Sequence, residues 1–305
     1  MSAKVAAIDI GSNTTNLLIT DASGDEVLRL VTTTRLGAGV DRNRLLSEHA
    51  IESTLECLGQ YRQHLNDHGV TRLRVVASSA CRDAGNREEF FDRAGEVLGT
   101  RPEILSGEEE GRLTYVGAVT GLPLSTTGHM VIDIGGGSTE VMIGRDSLVD
   151  VRSLDVGAVR LTERHLAHDP PQPEELTNAI GDVQDLFNDT CRSMEGFAYV
   201  SQLIGCSGTI LTVAAVELGL ANFDRAALQG FILTRAAAED VFRTVATEAL
   251  ADRIYNPGLP RDRADIIVGG CCTLVAIMRA LDAPEITVST RNILDGLCHE
   301  LRVRT

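Results

Sequence analysis

Two stretches of this chain carry the same pattern of apolar and polar positions. Val5-Ala6-Ala7-Ile8-Asp9-Ile10 is an apolar run broken by one aspartate, Gly11-Ser12-Asn13-Thr14 is a small polar turn, and Leu17-Leu18-Ile19 is apolar again. Residues 130–143 read the same way, with Met130-Val131-Ile132-Asp133-Ile134, then Gly135-Gly136-Gly137-Ser138, then Val141-Met142-Ile143. Short apolar runs bounded by turn residues predict buried strands, so each stretch is expected to be a strand, a turn and a second strand. Placing Asp9 on Asp133 matches Asp, Ile, Gly, Thr and Ile over eleven positions, at an offset of 124 residues. An offset of about one domain length predicts two similar α/β domains.

The remaining pattern fits that class. Ile51, Leu55, Leu58, Tyr61 and Leu65 recur at helical spacing within residues 47–66. Leu73-Arg74-Val75-Val76-Ala77 predicts a buried strand, followed by a Ser/Cys/Arg loop and a helix near 87–98. Ser106-Gly107-Glu108-Glu109 has the form of a capping box and opens a helix to about residue 120. A Gly/Pro/Ser/Thr loop over 121–128 then sets the expected domain boundary, with domains at 1–120 and 121–305. A helix is expected from Glu174, after the prolines at 170, 171 and 173. Gln202-Leu203-Ile204 leads into Gly205-Cys206-Ser207-Gly208-Thr209 and an apolar helix to about 219. Ile266-Ile267-Val268-Gly269-Gly270 leads into a further helix to about 281. A short strand at 285–289 and a terminal helix at 291–302 close the chain, and the helix has either domain to pack on.

Composition narrows the function classes. A chain of 305 residues that is 43% hydrophobic and 23% charged is globular, with enough length for two domains. The formal net charge of −15 argues against a nucleic-acid binder and, taken alone, against any polyanionic substrate. Seven scattered cysteines with no C-x-x-C pair read as reduced, buried thiols in a cytoplasmic protein. The N-terminal apolar stretch is too short for a signal peptide, and no apolar run reaches the roughly 18 residues of a membrane span, so no membrane association is expected.

The chemistry sits in the turns. A Gly-rich turn between strands presents backbone amides without obstruction and suits phosphate oxygens, and Ser12, Asn13, Thr14, Ser138 and Thr139 add side-chain donors. Neither turn has the spacing of a Walker A loop or a Rossmann fingerprint. Asp9, Asp133 and Glu140 lie in the same hairpins. Strand-end carboxylates suit Mg²⁺, which takes one or two of them beside substrate oxygens, although Asp9 also reads as a turn-forming residue and Glu140 as a solvated strand position. Glu108, Glu109 and Glu110 at a helix start satisfy the helix dipole, and one of them suits a general base for water. Arg82 follows a strand end, where α/β folds place ligands. Ser207, Gly208 and Thr209 open a helix whose amides suit an anion. The seven histidines form no metal-ligand pattern.

Four of these motifs occur in one order: Asp9-Ile-Gly-Ser-Asn-Thr14, Ser106-Gly-Glu-Glu-Glu-Gly-Arg112, Asp133-Ile-Gly-Gly-Gly-Ser-Thr-Glu140 and Gly205-Cys-Ser-Gly-Thr209. In this the chain resembles the exopolyphosphatase / guanosine pentaphosphate phosphohydrolase family, within the actin-like, sugar kinase and Hsp70 ATPase superfamily. The resemblance covers essentially the whole chain. It implies an α/β fold of two actin-like (ribonuclease H-like) domains with an interdomain active-site cleft. It also implies that Glu110 activates water, that Mg²⁺ associates with Asp133, that Glu140 is the acid ending that motif, and that Arg82 binds phosphate; Asp9 and Glu140 are the further metal candidates. The hairpin glycines and hydroxyls it assigns to substrate are Gly11, Ser12, Asn13, Thr14, Gly136, Gly137 and Ser138. Gly111 stands where the family often has alanine. The longer relatives continue into helical C-terminal domains beyond the point where this chain ends, which favours shorter polymers here.

The expected activity is Mg²⁺-dependent hydrolysis of the terminal phosphoanhydride of inorganic polyphosphate, with a homodimer expected by resemblance alone. A second expectation is 5′-phosphohydrolase action on guanosine pentaphosphate, which uses the same constellation. A third, of another class, is an actin-like nucleotide-binding regulator or kinase, against which Glu110 argues.

Overall fold

In the first strand, β1 (Lys4–Ile10), alternation sends Ala6, Ile8 and Ile10 to one face and Val5 and Ala7 to the other, and both faces are buried. The computed structural model describes residues 4–303. The chain forms two units, one of residues up to 117 together with those from 292, the other of residues 118–291.

In the first unit β1 is followed by β2 (Thr14–Thr20), β3 (Glu26–Thr33), β4 (Val70–Ala77) and β5 (Glu103–Ile104), in the sheet order β3-β2-β1-β4-β5. β1 pairs antiparallel with β2 and parallel with β4. Four helices matter for the site: α1 (Glu48–Asp67), α2 (Ser79–Asp83), α3 (Arg87–Leu98) and α4 (Gly107–Ala118). One sheet face packs Ile8 and Ile10 against Leu58 and Tyr61 of α1 and Phe90 and Phe91 of α3. The other packs Val5 and Ala7 with Leu113 of α4 and with Leu294, Leu297 and Cys298 of the terminal helix, Ile293–Val303. Ion pairs fix that helix to the sheet and to α4: Arg29–Asp295 at 2.8 Å, Arg74–Glu300 at 2.9 Å and Arg112–Glu300 at 2.7 Å.

The second unit repeats the design. Its strands are β6 (His129–Ile134), β7 (Thr139–Gly144), β8 (Leu148–Leu154), β9 (Gln202–Cys206), β10 (Ile232–Thr234) and β11 (Glu285–Val288), ordered β10-β11-β9-β6-β7-β8. Read from β8, that is the first sheet's order with β10 added at the far edge. Asp9 stands opposite Asn16, and Asp133 opposite Glu140, at the offset of 124. The register slips between Ile19 and Thr20 in one sheet and between Ile143 and Gly144 in the other, again at that offset. The repeat is therefore one of backbone pairing as well as of residues. The longer helices are α5 (Ala158–His165), α6 (Pro173–Arg192), α7 (Ser207–Glu217), α8 (Arg235–Thr247) and α9 (Ile267–Ala280). Every residue from Ile267 to Met278 is buried, because α9 is enclosed by α5, α6 and α8. The segment at 266–270, read from sequence as a lead-in, is already the first turn of that helix.

Leu297 is fully buried in the cluster beneath the first sheet. Leu297→Ala is expected to cost about 2–5 kcal/mol, seen as a lower urea midpoint at unchanged m-value.

Candidate active site

The turn between β1 and β2 is built so that its carbonyls face protein donors. Gly11 N donates to Thr14 O at 3.0 Å. The chain leaving β3 folds back behind the turn: Thr34 N and Arg35 N donate to Asn13 O at 3.1 and 3.0 Å, and Gly37 N donates to Ser12 O at 2.7 Å. The turn between β6 and β7 has the same scheme. Gly135 N donates to Ser138 O at 3.0 Å, Ala158 N to Gly135 O at 2.9 Å, Val159 N to Gly136 O at 2.8 Å, and Arg160 Nε to Gly137 O at 2.6 Å. Among the described residues nothing accepts from the amides of Ser12, Asn13, Gly136 or Gly137. Ser12 Oγ and Asn13 Nδ2 are likewise buried without a hydrogen-bond partner. Buried donors are costly to leave unmatched, so both turns are prepared for an acceptor such as a phosphate oxygen.

Packing holds each turn in that state. A Cβ on Gly157 would lie 2.7 Å from the backbone of Gly136, and one on Gly37 would lie 2.7 Å from Ser12 Cβ. Glycine at these two positions lets the returning chain press on the turn. Gly157 is legible in the sequence as a turn glycine and Gly37 is not, and the close approach of either to a hairpin turn has only one local signal, the shorter repeat Leu36-Gly37-Ala38 and Val156-Gly157-Ala158. Arg160 braces the second turn from within the protein and is 5% exposed.

Glu110 lies in the first turn of α4, and Ser106 Oγ caps that turn by accepting from Glu109 N at 3.1 Å. Arg82 sits in the last turn of α2, just past the end of β4. Its Nη1 donates to Glu110 Oε2 at 2.6 Å and to Leu105 O at 3.1 Å, with the two side chains 22% and 14% exposed. Burial pushes the Glu110 carboxyl above its ordinary range, while Arg82 and the Ser78 hydroxyl pull it back. Arg87 does not join this pair; it donates to Arg82 O at 3.3 Å and pairs with Glu88.

The carboxylates differ between the turns. Asp9 is half-buried and accepts from Asn16 Nδ2 at 3.3 Å. Asp133 and Glu140 are 7% and 1% exposed and stand directly opposite each other, with Ser153 Oγ donating to Glu140 at 2.8 Å. Like charges opposed across two strands are unfavourable by themselves, and hard carboxylate oxygens suit a hard cation. No group of three or more His, Cys, Asp or Glu residues forms a metal cage among the described residues. Burial and Asp133 together raise the Cys206 thiol well above its ordinary value, so it stays protonated beside this pair.

Ser207, Gly208 and Thr209 open α7, with Ser207 in the left-handed region at φ 68°. Arg263 lies over this loop: a Cβ on Gly208 would stand 2.0 Å from its Nη1. Burial pushes the Arg263 guanidinium below its ordinary value, against the pull of Asp262. A helix N-terminus and a desolvated guanidinium are both positive, and an anion satisfies both. Nothing in the local pattern marks Arg263, because the short 3-10 segment that delivers it has no periodic signature.

The sequence profile of the Ppx/GppA phosphatase family matches residues 19–303. A protein named Exopolyphosphatase 2 from Mycobacterium tuberculosis is 34% identical over 314 aligned positions, covering 98% of both chains. A guanosine-5′-triphosphate,3′-diphosphate pyrophosphatase from Vibrio atlanticus is 28% identical over 97% of this chain, which spans 59% of that protein. Among solved structures, an exopolyphosphatase-like protein superposes with a TM-score of 0.93 at 31% identity over 99% of each chain.

The turn geometry makes a direct prediction. Gly157→Ala must displace the Gly136 backbone and is expected to cost about 1–3 kcal/mol, read by thermal unfolding. Gly181, in α6 with nothing within 4 Å of its virtual Cβ, is the control. Gly181→Ala is expected to leave the midpoint unchanged or raise it.

Proposed function

Because the chain belongs to the Ppx/GppA phosphatase family, we propose that it is an exopolyphosphatase that cleaves the terminal phosphoanhydride of inorganic polyphosphate and releases orthophosphate. The observation that carries this reading is that Ser12, Asn13, Gly136 and Gly137 have carbonyls engaged by protein donors and amides that are not engaged. Such donors bind oxyanions without reorganising, which is where most of the rate gain in phosphoryl transfer arises.

In the proposed reaction a water oxygen attacks the terminal phosphorus and its proton passes to Glu110. The bond from that phosphorus to the bridging oxygen breaks, and the bridging oxygen stays with the shortened chain as its new terminal oxygen. The amides and side-chain donors of residues 11–14 and 135–138 take up charge on the non-bridging oxygens. Arg82 is the further phosphate ligand, and Ser207, Gly208, Thr209 and Arg263 are assigned to anionic groups farther along the substrate.

Mg²⁺ is the proposed cofactor. Asp133 and Glu140 would hold it, since two buried, opposed carboxylates are the better hard donor set. Asp9, with an amide already donating to it, is a weaker candidate. When bound, the ion supplies neutralising charge to phosphate oxygens. Seven buried, unpaired cysteines support a reducing, cytoplasmic setting. No helix among the described residues is long and apolar enough to cross a membrane.

A second reading has one observation in its favour, the similarity to the Vibrio atlanticus pyrophosphatase. In it the same residues act on guanosine pentaphosphate. A phosphate-release assay on polyphosphate, guanosine pentaphosphate and ATP separates the readings. Faster release from polyphosphate is expected, release chiefly from guanosine pentaphosphate favours the second reading, and release only from ATP overturns both. Glu110→Gln is expected to lower turnover by about 10²–10⁴-fold with unchanged thermal stability. Chelation should abolish release and added Mg²⁺ restore it; release that survives chelation removes the metal from the proposal.

A further inference from the structure

Arg82 and Glu110 are both assigned to the reaction above, yet here they are bonded to each other. Burial raises the proton affinity of Glu110, and an arginine bonded to a carboxylate acts against that by favouring the charged form. Arg82 Nη1 contacts Glu110 Oε2 at 2.6 Å, a short charge-assisted bond on the carboxylate that would have to accept a proton from water. The arrangement is therefore not a resting catalytic geometry. It is a base with its acceptor oxygen covered.

From this contact we infer that Arg82 is a substrate-sensing positioning residue, which covers Glu110 in the free enzyme and releases it when the terminal phosphoryl group takes the guanidinium. The inference rests on the exopolyphosphatase reading and deepens it. A terminal phosphate carries up to two charges against one on Glu110 and matches the planar fork of arginine, so it competes well for the guanidinium. The backbone of Arg82 stays anchored: its amide donates to Ser78 O at 3.0 Å and its carbonyl accepts from Arg87, while the bond from Nη1 to Leu105 O at 3.1 Å is given up together with the one to Glu110. With the backbone fixed at both ends, only the side chain needs to swing.

Release leaves Glu110 in surroundings that favour the neutral form. Its side chain is 14% exposed, and the groups acting on it are Arg82 and the Ser78 hydroxyl. Glu108 and Glu109 share its helical turn, and Glu109 is occupied by Arg74 from β4 at 3.3 Å. Asp9 and Arg87 act on the adjacent Cys81. Without Arg82, burial and the neighbouring acids all raise the carboxyl's proton affinity. Water activation is thereby tied to the presence of a phosphoryl group.

The test is the pH dependence of tripolyphosphate hydrolysis at saturating Mg²⁺. The acid limb of kcat/KM reports Glu110 in the free enzyme and that of kcat reports it in the complex. Arg82→Gln is expected to move the kcat/KM limb to higher pH by about one to three units, and the kcat limb by less than half as much. Arg82→Lys, which restores a positive charge, is expected to bring the kcat/KM limb back toward its wild-type position and covers the case in which the glutamine variant folds poorly. Equal movement of both limbs would mean that the pair persists in the complex, and movement of neither that Arg82 does not govern Glu110. Either result overturns the inference while leaving Glu110 as base. A Glu110→Gln enzyme within tenfold of wild-type turnover instead overturns the assignment of the base.

Discussion

What each hairpin turn can do follows from where its carbonyls go. A turn carries as many amides as carbonyls, and water or protein must satisfy both. Here the chain leaving the third strand of each unit returns behind the turn and donates to its carbonyls. At Ser12, Asn13, Gly136 and Gly137 the surplus is all donor. This needs a glycine in the returning chain, because Gly37 and Gly157 approach the turn more closely than any side chain permits. It also needs a rigid sheet, and the buried faces of β1 and β6 provide one. Core packing, strand register and the supply of unmatched turn amides are thus linked through one hydrogen-bond pattern.

Ion pairs in the first unit do two different jobs, and their surroundings show which. Arg29–Asp295, Arg74–Glu300 and Arg112–Glu300 join the terminal helix to β3, β4 and α4. No spare donor of the turns is involved in them, and their effect is to hold a helix whose apolar face already covers the sheet. Arg82–Glu110 is a pair of the same chemistry and similar length, but it joins α2 and α4 past the C-terminal end of β4. Ligands gather at that end of parallel strands. A pair there stands where an anionic ligand can compete for the arginine.

The parts of the fold legible in the sequence were those buried on both sides. β1, β2, β6, β7 and β9 are short apolar runs between turn residues, and α1 and α3 show helical spacing with strong burial. β3 and β8 were not legible. They are edge strands of mixed burial, with Val31 and Val149 exposed, and only pairing with β2 and β7 makes them strands. The helix beginning at Ile267 was misread at its start because an all-round apolar helix has no stripe to mark its first turn. For the site, local motifs carried the two turns, Glu110 and Arg82. They could not carry Arg263, whose relevance comes from standing over Gly208, 55 positions away in sequence.

The repeat also explains how a chain of net charge −15 can accommodate phosphate. Exposed charges more than about 8 Å apart are largely screened at physiological salt, so the local donors decide. The two copies have diverged in what they offer. The first turn keeps Ser12 and Asn13, whose side chains add donors, and sets a neutral Asn16 opposite Asp9. The second has Gly136 and Gly137, which add none, but sets Glu140 opposite Asp133. One copy has become richer in donors to an anion and the other richer in oxygen ligands for a cation. The differences lie at two places: positions 12 and 13 against 136 and 137 for the donors, and position 16 against 140 for the carboxylate.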